Sequence, residues 1–320
     1  MFIIRSWRFL RVPSALISLA FLAMIALQMT ACMVANSGEG QAVASTHQPT
    51  GRLSLAITDA PLAAAAQVVV EFAGVAVQGV GGVWHDFDFS APRHVDLVNL
   101  AGGGSELLLD DVILPAGRYR AIRLWVNAEG GAGDSFIVRE QGGARRGLRI
   151  PEGARDGLEL RHEFTVAANG ISAFTVDFDL RKSVFATAAD DGDYLLRPSL
   201  RLVDNLTVGR ITGRVAGELL NGDHCNTGAV YLYSGRGAIP DDLGGSGQQP
   251  LVAAPVLRDA ASGDGFAYTL SYVAAGDYTL AFTCQALVDV ANSDEPLHFS
   301  VPNEVSLVAG AVAKVDFSSL

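Results

Sequence analysis

From Gly51 onward, apolar residues recur at every second position. Leu53, Leu55 and Ile57 alternate with Ser54, Ala56 and Thr58, and Ile122, Leu124 and Val126 alternate with Arg123 and Trp125. Phe174, Val176, Phe178 and Leu180 do the same with Thr175, Asp177, Asp179 and Arg181. This is the spacing of strands that bury one face, since successive side chains of a strand point to opposite sides. Val68, Val70 and Phe72 share a face until Gly74 breaks the phase before Val75 and Val77, which predicts a β-bulge. Gly81-Gly82, Gly102-Gly103-Gly104, Gly142-Gly143 and Asn169-Gly170 separate the runs as turns. No long stretch keeps a helical period apart from an N-terminal segment. Many short strands with regular glycine turns predict an all-β chain built as two β-sandwich domains.

The N-terminus follows a processing logic. Arg5, Arg8 and Arg11 precede a nearly uninterrupted apolar run from Val12 to Met29, and Thr30-Ala31-Cys32 follows. The string Leu27-Gln28-Met29-Thr30-Ala31-Cys32 resembles the bacterial lipoprotein signal, in which small residues precede a cysteine that becomes the acylated first residue. That resemblance implies a signal peptide over 1–31, lipidation at Cys32 and a membrane partner held through the N-terminal lipid. Met33 follows in place of Asp, which by the same resemblance favours a cell-envelope location at the outer membrane. An uncleaved transmembrane helix is the alternative, since about 18 apolar residues can span a bilayer. Residues 32–50 are small and polar and read as a flexible tether.

Charge narrows the partners. The chain carries 23 basic and 34 acidic residues, a formal net charge of −11. All of the acids lie beyond residue 31, so the exported part is the more acidic. Such a surface repels nucleic acid and anionic lipid headgroups, and no nucleic-acid partner is expected. Once Cys32 is assigned to lipid, Cys225 and Cys284 remain as an even pair in one domain, the arithmetic of a disulfide in an oxidising compartment. A Cys/His metal site using His224 is the sharper alternative. Zinc needs three or four ligands, and no second Cys-Cys or His-x-x-x-His spacing occurs, so no metal or cofactor is expected there.

Two further strings organise the chain. Leu114-Pro115-Ala116-Gly117-Arg118-Tyr119 and Val273-Ala274-Ala275-Gly276-Asp277-Tyr278 each lead from a glycine turn into a strand beginning with tyrosine. Such tyrosines pack under the turn with the hydroxyl at its rim. Leu55-Ala56-Ile57-Thr58-Asp59-Ala60-Pro61, Val95-Asp96-Leu97-Val98-Asn99-Leu100, the Leu114 string, Ile150-Pro151-Glu152-Gly153, Val176-Asp177-Phe178-Asp179-Leu180-Arg181-Lys182-Ser183 and Leu196-Arg197-Pro198-Ser199-Leu200 resemble, in order, the bacterial domain of unknown function 4382. That resemblance implies a β-sandwich in a lipoprotein context, with no activity to transfer. Residues 208–320 more loosely resemble the carboxypeptidase-regulatory or transthyretin-like sandwich, through Gly209-Arg210-Ile211-Thr212-Gly213-Arg214-Val215, Asp264-Gly265-Phe266 and Ala275-Gly276-Asp277-Tyr278-Thr279-Leu280. The expected domains are therefore 51–206 and 207–320.

Several constellations could carry chemistry. Asp177 and Asp179 share a strand face and could serve as paired carboxylates, or lie on a solvent face paired with Arg123 or Arg181. Asp59 reads as a turn aspartate accepting backbone N–H groups. Asp190, Asp191 and Asp193 surround a glycine and could bind calcium, but the full Asp-x-Asp-x-Asp-Gly loop is missing and a charged hairpin turn is the favoured reading. Asp241-Asp242 is a weaker version of the same signal. Gly133-Asp134-Ser135-Phe136 resembles an esterase opening motif but precedes its apparent strand, the wrong order for a nucleophile. Trp84, His85, Phe87, Phe89 and Trp125 could form a platform for a glycan or fill the core. Residues 234–250, rich in Gly, Pro, Gln and Asp, read as a mobile hairpin or a contact loop. The expected function is a non-catalytic binding or structural module of the cell envelope, with a glycan or protein ligand. The alternative is a carbohydrate-active or calcium-dependent enzyme using the acidic loops.

Overall fold

In a computed structural model, the described residues are 48–60, 65–131, 133–139, 141–151, 157–187, 192–220, 225, 228–259 and 265–318. Residues 1–31, expected to be a signal peptide, Cys32 and most of the expected tether lie outside them. Among the described residues no helix is long and apolar enough to cross a membrane. The chain is all-β. Its first strands are β1 (Thr50–Ala60), β2 (Gln67–Gly79), β3 (Trp84–Asp96), β4 (Glu106–Pro115), β5 (Gly117–Asn127) and β6 (Phe136–Val138). They continue with β7 (Arg146–Arg149), β8 (Leu158–Val166), β9 (Ile171–Asp179), β10 (Val184–Ala186), β11 (Tyr194–Leu196) and β12 (Leu200–Asp204).

These strands make two sheets. One runs in the order β12-β9-β1-β4; the other runs β10-β11-β7-β6-β2-β5-β8, with β3 also paired to β2. The alternation seen in the sequence is what joins them. Leu53, Leu55 and Ile57 of β1 and Phe174, Val176 and Phe178 of β9 point inward, and meet Val70, Phe72, Val75, Val77, Ile122 and Leu124 of the facing sheet. Because β1 and β9 pair in parallel, from Arg52↔Ile171 to Ala60↔Asp179, their apolar sets stay in phase. The bulge expected at Gly74 is present, with a register shift between Phe72 and Gly74 against both β3 and β5. Glycine is required there, because a Cβ would sit 2.8 Å from the Phe87 carbonyl oxygen.

The second set comprises β13 (Val208–Val215), β14 (Ala229–Ser234), β15 (Val252–Pro255), β16 (Leu257–Arg258), β17 (Phe266–Ala274), β18 (Gly276–Thr283), β19 (Asn303–Leu307) and β20 (Val312–Lys314). They form two four-stranded sheets, β16-β17-β13-β20 and β15-β14-β18-β19, around Ile211, Val230, Leu232, Leu270, Leu280 and Phe282. Both glycine-turn tyrosines do the same job. Tyr119 donates its hydroxyl to the Pro115 carbonyl and Tyr278 donates to the Ala274 carbonyl, each at 2.8 Å, closing the turn four residues back. Residues 48–320 pack as one compact unit.

Residues 234–250 are held in place, which counts against the mobile-hairpin reading and leaves the contact-loop one. Leu243 and Ala238 are buried, Tyr233 donates its hydroxyl to the Asp241 carbonyl, and the Ala238 N–H bonds the Thr279 hydroxyl. Composition hid this because a few buried side chains and a tyrosine on the preceding strand suffice to anchor a polar loop.

Cys225 and Cys284 are bonded, 59 residues apart, and tie the segment before β14 to the end of β18. Closing a loop of this length restricts the unfolded chain by about 4 kcal/mol in the chain-entropy model. Replacing both cysteines with serine should therefore lower unfolding free energy by about that amount in urea titration, and dithiothreitol should reproduce the loss in the wild type but not in the variant.

Candidate functional site

One end of the outer face of the β12-β9-β1-β4 sheet, around Thr58, Asp59 and Asp177, meets the second sandwich. Thr175 and Thr58 are buried, and so is Asp177 at 7 % exposure. A small cavity of about 20 Å³ is lined from one side by Thr58, Asp59 and Asp177 and from the other by Val252, Ser271 and Tyr272. That is room for a single water. The solvent-face reading of Asp177 is thereby corrected: polar residues on this face meet another domain. Its partner is neither Arg123 nor Arg181. Arg201, directly opposite on β12, places Nη2 2.6 Å and Nε 3.2 Å from Asp177 Oδ2.

Asp179 ends β9 and caps a single 3-10 turn, Leu180–Lys182, by accepting the Lys182 N–H. Burial raises its pKa, with Lys182 opposing the shift. Asp59 accepts the Leu180 N–H at 3.2 Å, so it does bond a backbone amide, but one in the 3-10 turn after the neighbouring strand, 121 residues away. These carboxylates serve to shape the turn that carries Arg181.

Arg181 then crosses into the second sandwich. Its Nη2 lies 2.9 Å from Asp289 Oδ2, 2.6 Å from the Tyr231 hydroxyl and 3.3 Å from the Ala286 carbonyl oxygen. Both charged side chains are buried, at 5 % and 0 % exposure. Tyr231 also donates to Asp289 Oδ2, and burial holds its hydroxyl well above the ordinary phenol range, so it remains a donor. Lys182 adds a bond from Nζ to the Pro250 carbonyl at 2.9 Å. Close approach at a second point needs a glycine: Gly103 has φ +107°, and a Cβ there would lie 2.3 Å from Ser271 Oγ.

Beyond the seam, Asp289 Oδ1 accepts the Leu243 N–H at 3.0 Å, and Asp242 Oδ2 accepts the Glu295 N–H at 2.6 Å. Asp242, Asp289 and Glu295 therefore gather where residues 234–250 meet residues 285–299. Burial raises the Asp242 pKa, with Asp241, Asp289 and Asp294 adding to the shift. The sequence pointed to Asp241-Asp242 only faintly and to Asp289 and Glu295 not at all, because their convergence depends on loops far apart in the chain.

The remaining expectations divide. Asp190, Asp191 and His224 lie outside the described residues. Asp193 bonds backbone amides, accepting from Gly147 at 3.1 Å and Gly131 at 3.4 Å. Ser135 is a buried bridge, donating to the Asn127 carbonyl and accepting the Glu71 N–H. Of the aromatics, Phe87 and Phe89 pack on the core and His85 lies near Tyr119. Trp84 and Trp125 do converge, on either side of Arg123 at 4.2 and 5.4 Å. Arg123 bonds Glu159 at 2.8 Å, which lowers the Glu159 pKa. Trp125 also borders an open cleft of about 320 Å³ with Asp88, Asn127 and Glu129.

Removing one partner of a buried ion pair strands the other. Arg181→Met should cost about 3–5 kcal/mol in urea unfolding, and adding Asp289→Asn should recover most of it. A single-variant loss within the range of a surface pair would show that the seam does not bear on the two charges.

Comparisons with known proteins bear on the first sandwich. No curated protein matches the chain. Among solved structures, the Bacillus anthracis TIE protein is 10 % identical over 84 % of this chain, with TM-score 0.19; this chain spans only 34 % of that one. The minor pilin GBS52 of Streptococcus agalactiae is 10 % identical, covering 83 % of this chain and 94 % of its own, with TM-score 0.19. The fimbrial anchor protein Mfa2 of Porphyromonas gingivalis is 12 % identical, covering 73 % and 78 %, with TM-score 0.17. Likenesses of this size assign neither activity nor partner. Residues 50–198, just under half of the chain, match the family described as Domain of unknown function (DUF4382), in the region where the six sequence strings lie.

Proposed function

We propose that this is a lipid-anchored protein of the bacterial cell envelope that binds or builds rather than catalyses. The observation that carries the reading is the fate of its acidic residues. Asp177 is committed to Arg201, Asp179 to a turn and Asp289 to Arg181, so the carboxylates nearest to an active-site arrangement are spent on structural bonds, the last of them between the two sandwiches. The cavity beside Asp177 admits about one water, far below the several hundred Å³ of a substrate pocket. The first described strand begins at Thr50, so residues 32–49 would link an acylated Cys32 to the folded body. Several acyl chains, at about 0.8 kcal/mol per methylene, would hold it stably at the outer membrane. In this reading residues 207–320 act as a carboxypeptidase-regulatory-like appendage, docked against the 51–206 sandwich.

One observation favours a glycan over a protein ligand. The cleft beside Trp125 combines an aromatic face with Asp88, Asn127 and Glu129, the mixture of stacking surface and hydrogen-bonding groups that a sugar ring needs. On a glycan array, a sugar bound by the wild type should be lost in Trp125→Ala with the melting temperature unchanged. Binding that survives this substitution would remove the cleft from the proposal.

The anchor is tested by intact-mass analysis of membrane-extracted protein beside a Cys32→Ala variant. A mature N-terminus at Cys32 carrying acyl mass, absent from the variant, is expected. An unprocessed N-terminus would replace the lipid with a transmembrane helix and end the outer-membrane placement.

A further inference from the structure

Where residues 234–250 close against residues 285–299, three carboxylates converge without an equal number of cations. Asp242 is fully buried, Asp289 nearly so, and Glu295 half-buried. One oxygen from each lies within 4.8 Å of the other two. Oxygens bound to one calcium ion at 2.3–2.6 Å can be no more than about 5 Å apart, so the spacing fits a shared ion.

An acidic cluster alone would mean little. The second observation is Asp242 Oδ1, which is buried and makes no hydrogen bond among the described residues. Its neighbour Oδ2 takes the Glu295 N–H, so the carboxylate is fixed in orientation and the free oxygen is presented deliberately. The Asp294 carboxylate lies nearby: a Cβ built on Gly245, where φ is +57°, would lie 3.0 Å from Asp242 Oδ1 and 3.2 Å from Asp294 Oδ2. A bare carboxylate oxygen buried among other carboxylates is costly unless a proton or a cation satisfies it.

The other oxygens keep capacity. Asp289 Oδ1 accepts one N–H from Leu243, and Glu295 Oε2 accepts one from Val290, whereas each carboxylate oxygen has two lone pairs. Arg181 approaches Asp289 through Oδ2. The donors are all oxygen, from a rigid loop pair, with no sulfur or imidazole among them. Such a set selects a hard divalent ion.

We propose that Asp242, Asp289 and Glu295, with Asp294 at the rim, form a binding site for a hard divalent cation of the Ca²⁺ type at the end of the second sandwich. The site uses none of the Asp190–Asp193 carboxylates and is independent of the glycan and anchor readings. Ion binding would replace the missing partner of Asp242 and lock residues 234–250 onto β14 and the 285–299 segment.

The test uses the full chain in detergent, melted in 10 mM CaCl₂ and in EDTA at matched ionic strength. Sites in extracellular modules bind calcium with Kd near 10⁻⁴–10⁻³ M, so a rise in Tm of at least about 3 °C is expected. Asp242→Asn keeps an acceptor for the Glu295 N–H but removes the charge. It should be at least as stable as the wild type in EDTA and show no calcium-dependent rise. Glu295→Gln, nearer the surface, should blunt the rise and carries the test should Asp242→Asn fail to fold. A wild-type Tm indifferent to calcium would overturn the proposal and leave a protonated Asp242 as the account of the buried oxygen. An equal rise in wild type and both variants would overturn it too, by placing the ion elsewhere.

Discussion

Arg181 and Asp289 are 108 residues apart and belong to different sandwiches, yet each has its charge removed from water by the other's domain. Taking two charges out of water costs several kcal/mol each, and their attraction repays this only in good geometry. A buried pair is therefore poor evidence of stability and better evidence of uniqueness. Any slide of one sandwich over the other would leave a guanidinium and a carboxylate buried without partners. The Tyr231 hydroxyl, held between them as a donor, narrows the allowed geometry further.

The turn that carries Arg181 is built with matching care. Asp59 and Asp179 both accept backbone N–H groups there, from Leu180 and Lys182. These bonds come from the ends of β1 and β9, the paired strands at the centre of the first sandwich's smaller sheet. Position is passed from the core outward: the apolar phase of β1 and β9 fixes the strand ends, the strand ends fix the turn, and the turn aims the guanidinium.

The local parts of this architecture were legible. Period-two runs gave the strands, Gly74 the bulge, the Pro-Ala-Gly and Ala-Ala-Gly strings the tyrosine turns, and Cys225 with Cys284 the disulfide. Each is written within a few residues, or, for the cysteines, by elimination. The seam was not legible, for a reason that lies in what alternation encodes. A polar residue on every second position says which side is not the core; it does not say whether water or another domain lies there. Thr58, Thr175 and Asp177 are as polar as a solvent face requires, yet they are buried under the second sandwich. Asp289 and Glu295 stand in no motif, since their convergence with Asp242 is made by folding across some fifty residues.

That convergence changes what residues 234–250 can do. A floppy Gly-rich loop would lose much of its interaction energy to ordering whenever it met a ligand. Here Leu243 is buried, its N–H is held by Asp289, and Asp241 is held by Tyr233. Asp289 thus connects the loop on one oxygen and the interdomain arginine on the other. Its carboxylate is where the order of the loop and the docking of the two sandwiches meet. A change of charge beside Asp242 would be felt at Arg181 through one side chain, at a few ångströms and with little water between to screen it. The loop at this end of the molecule is consequently preorganised, and its rigidity depends on the same buried charge that orients the domains.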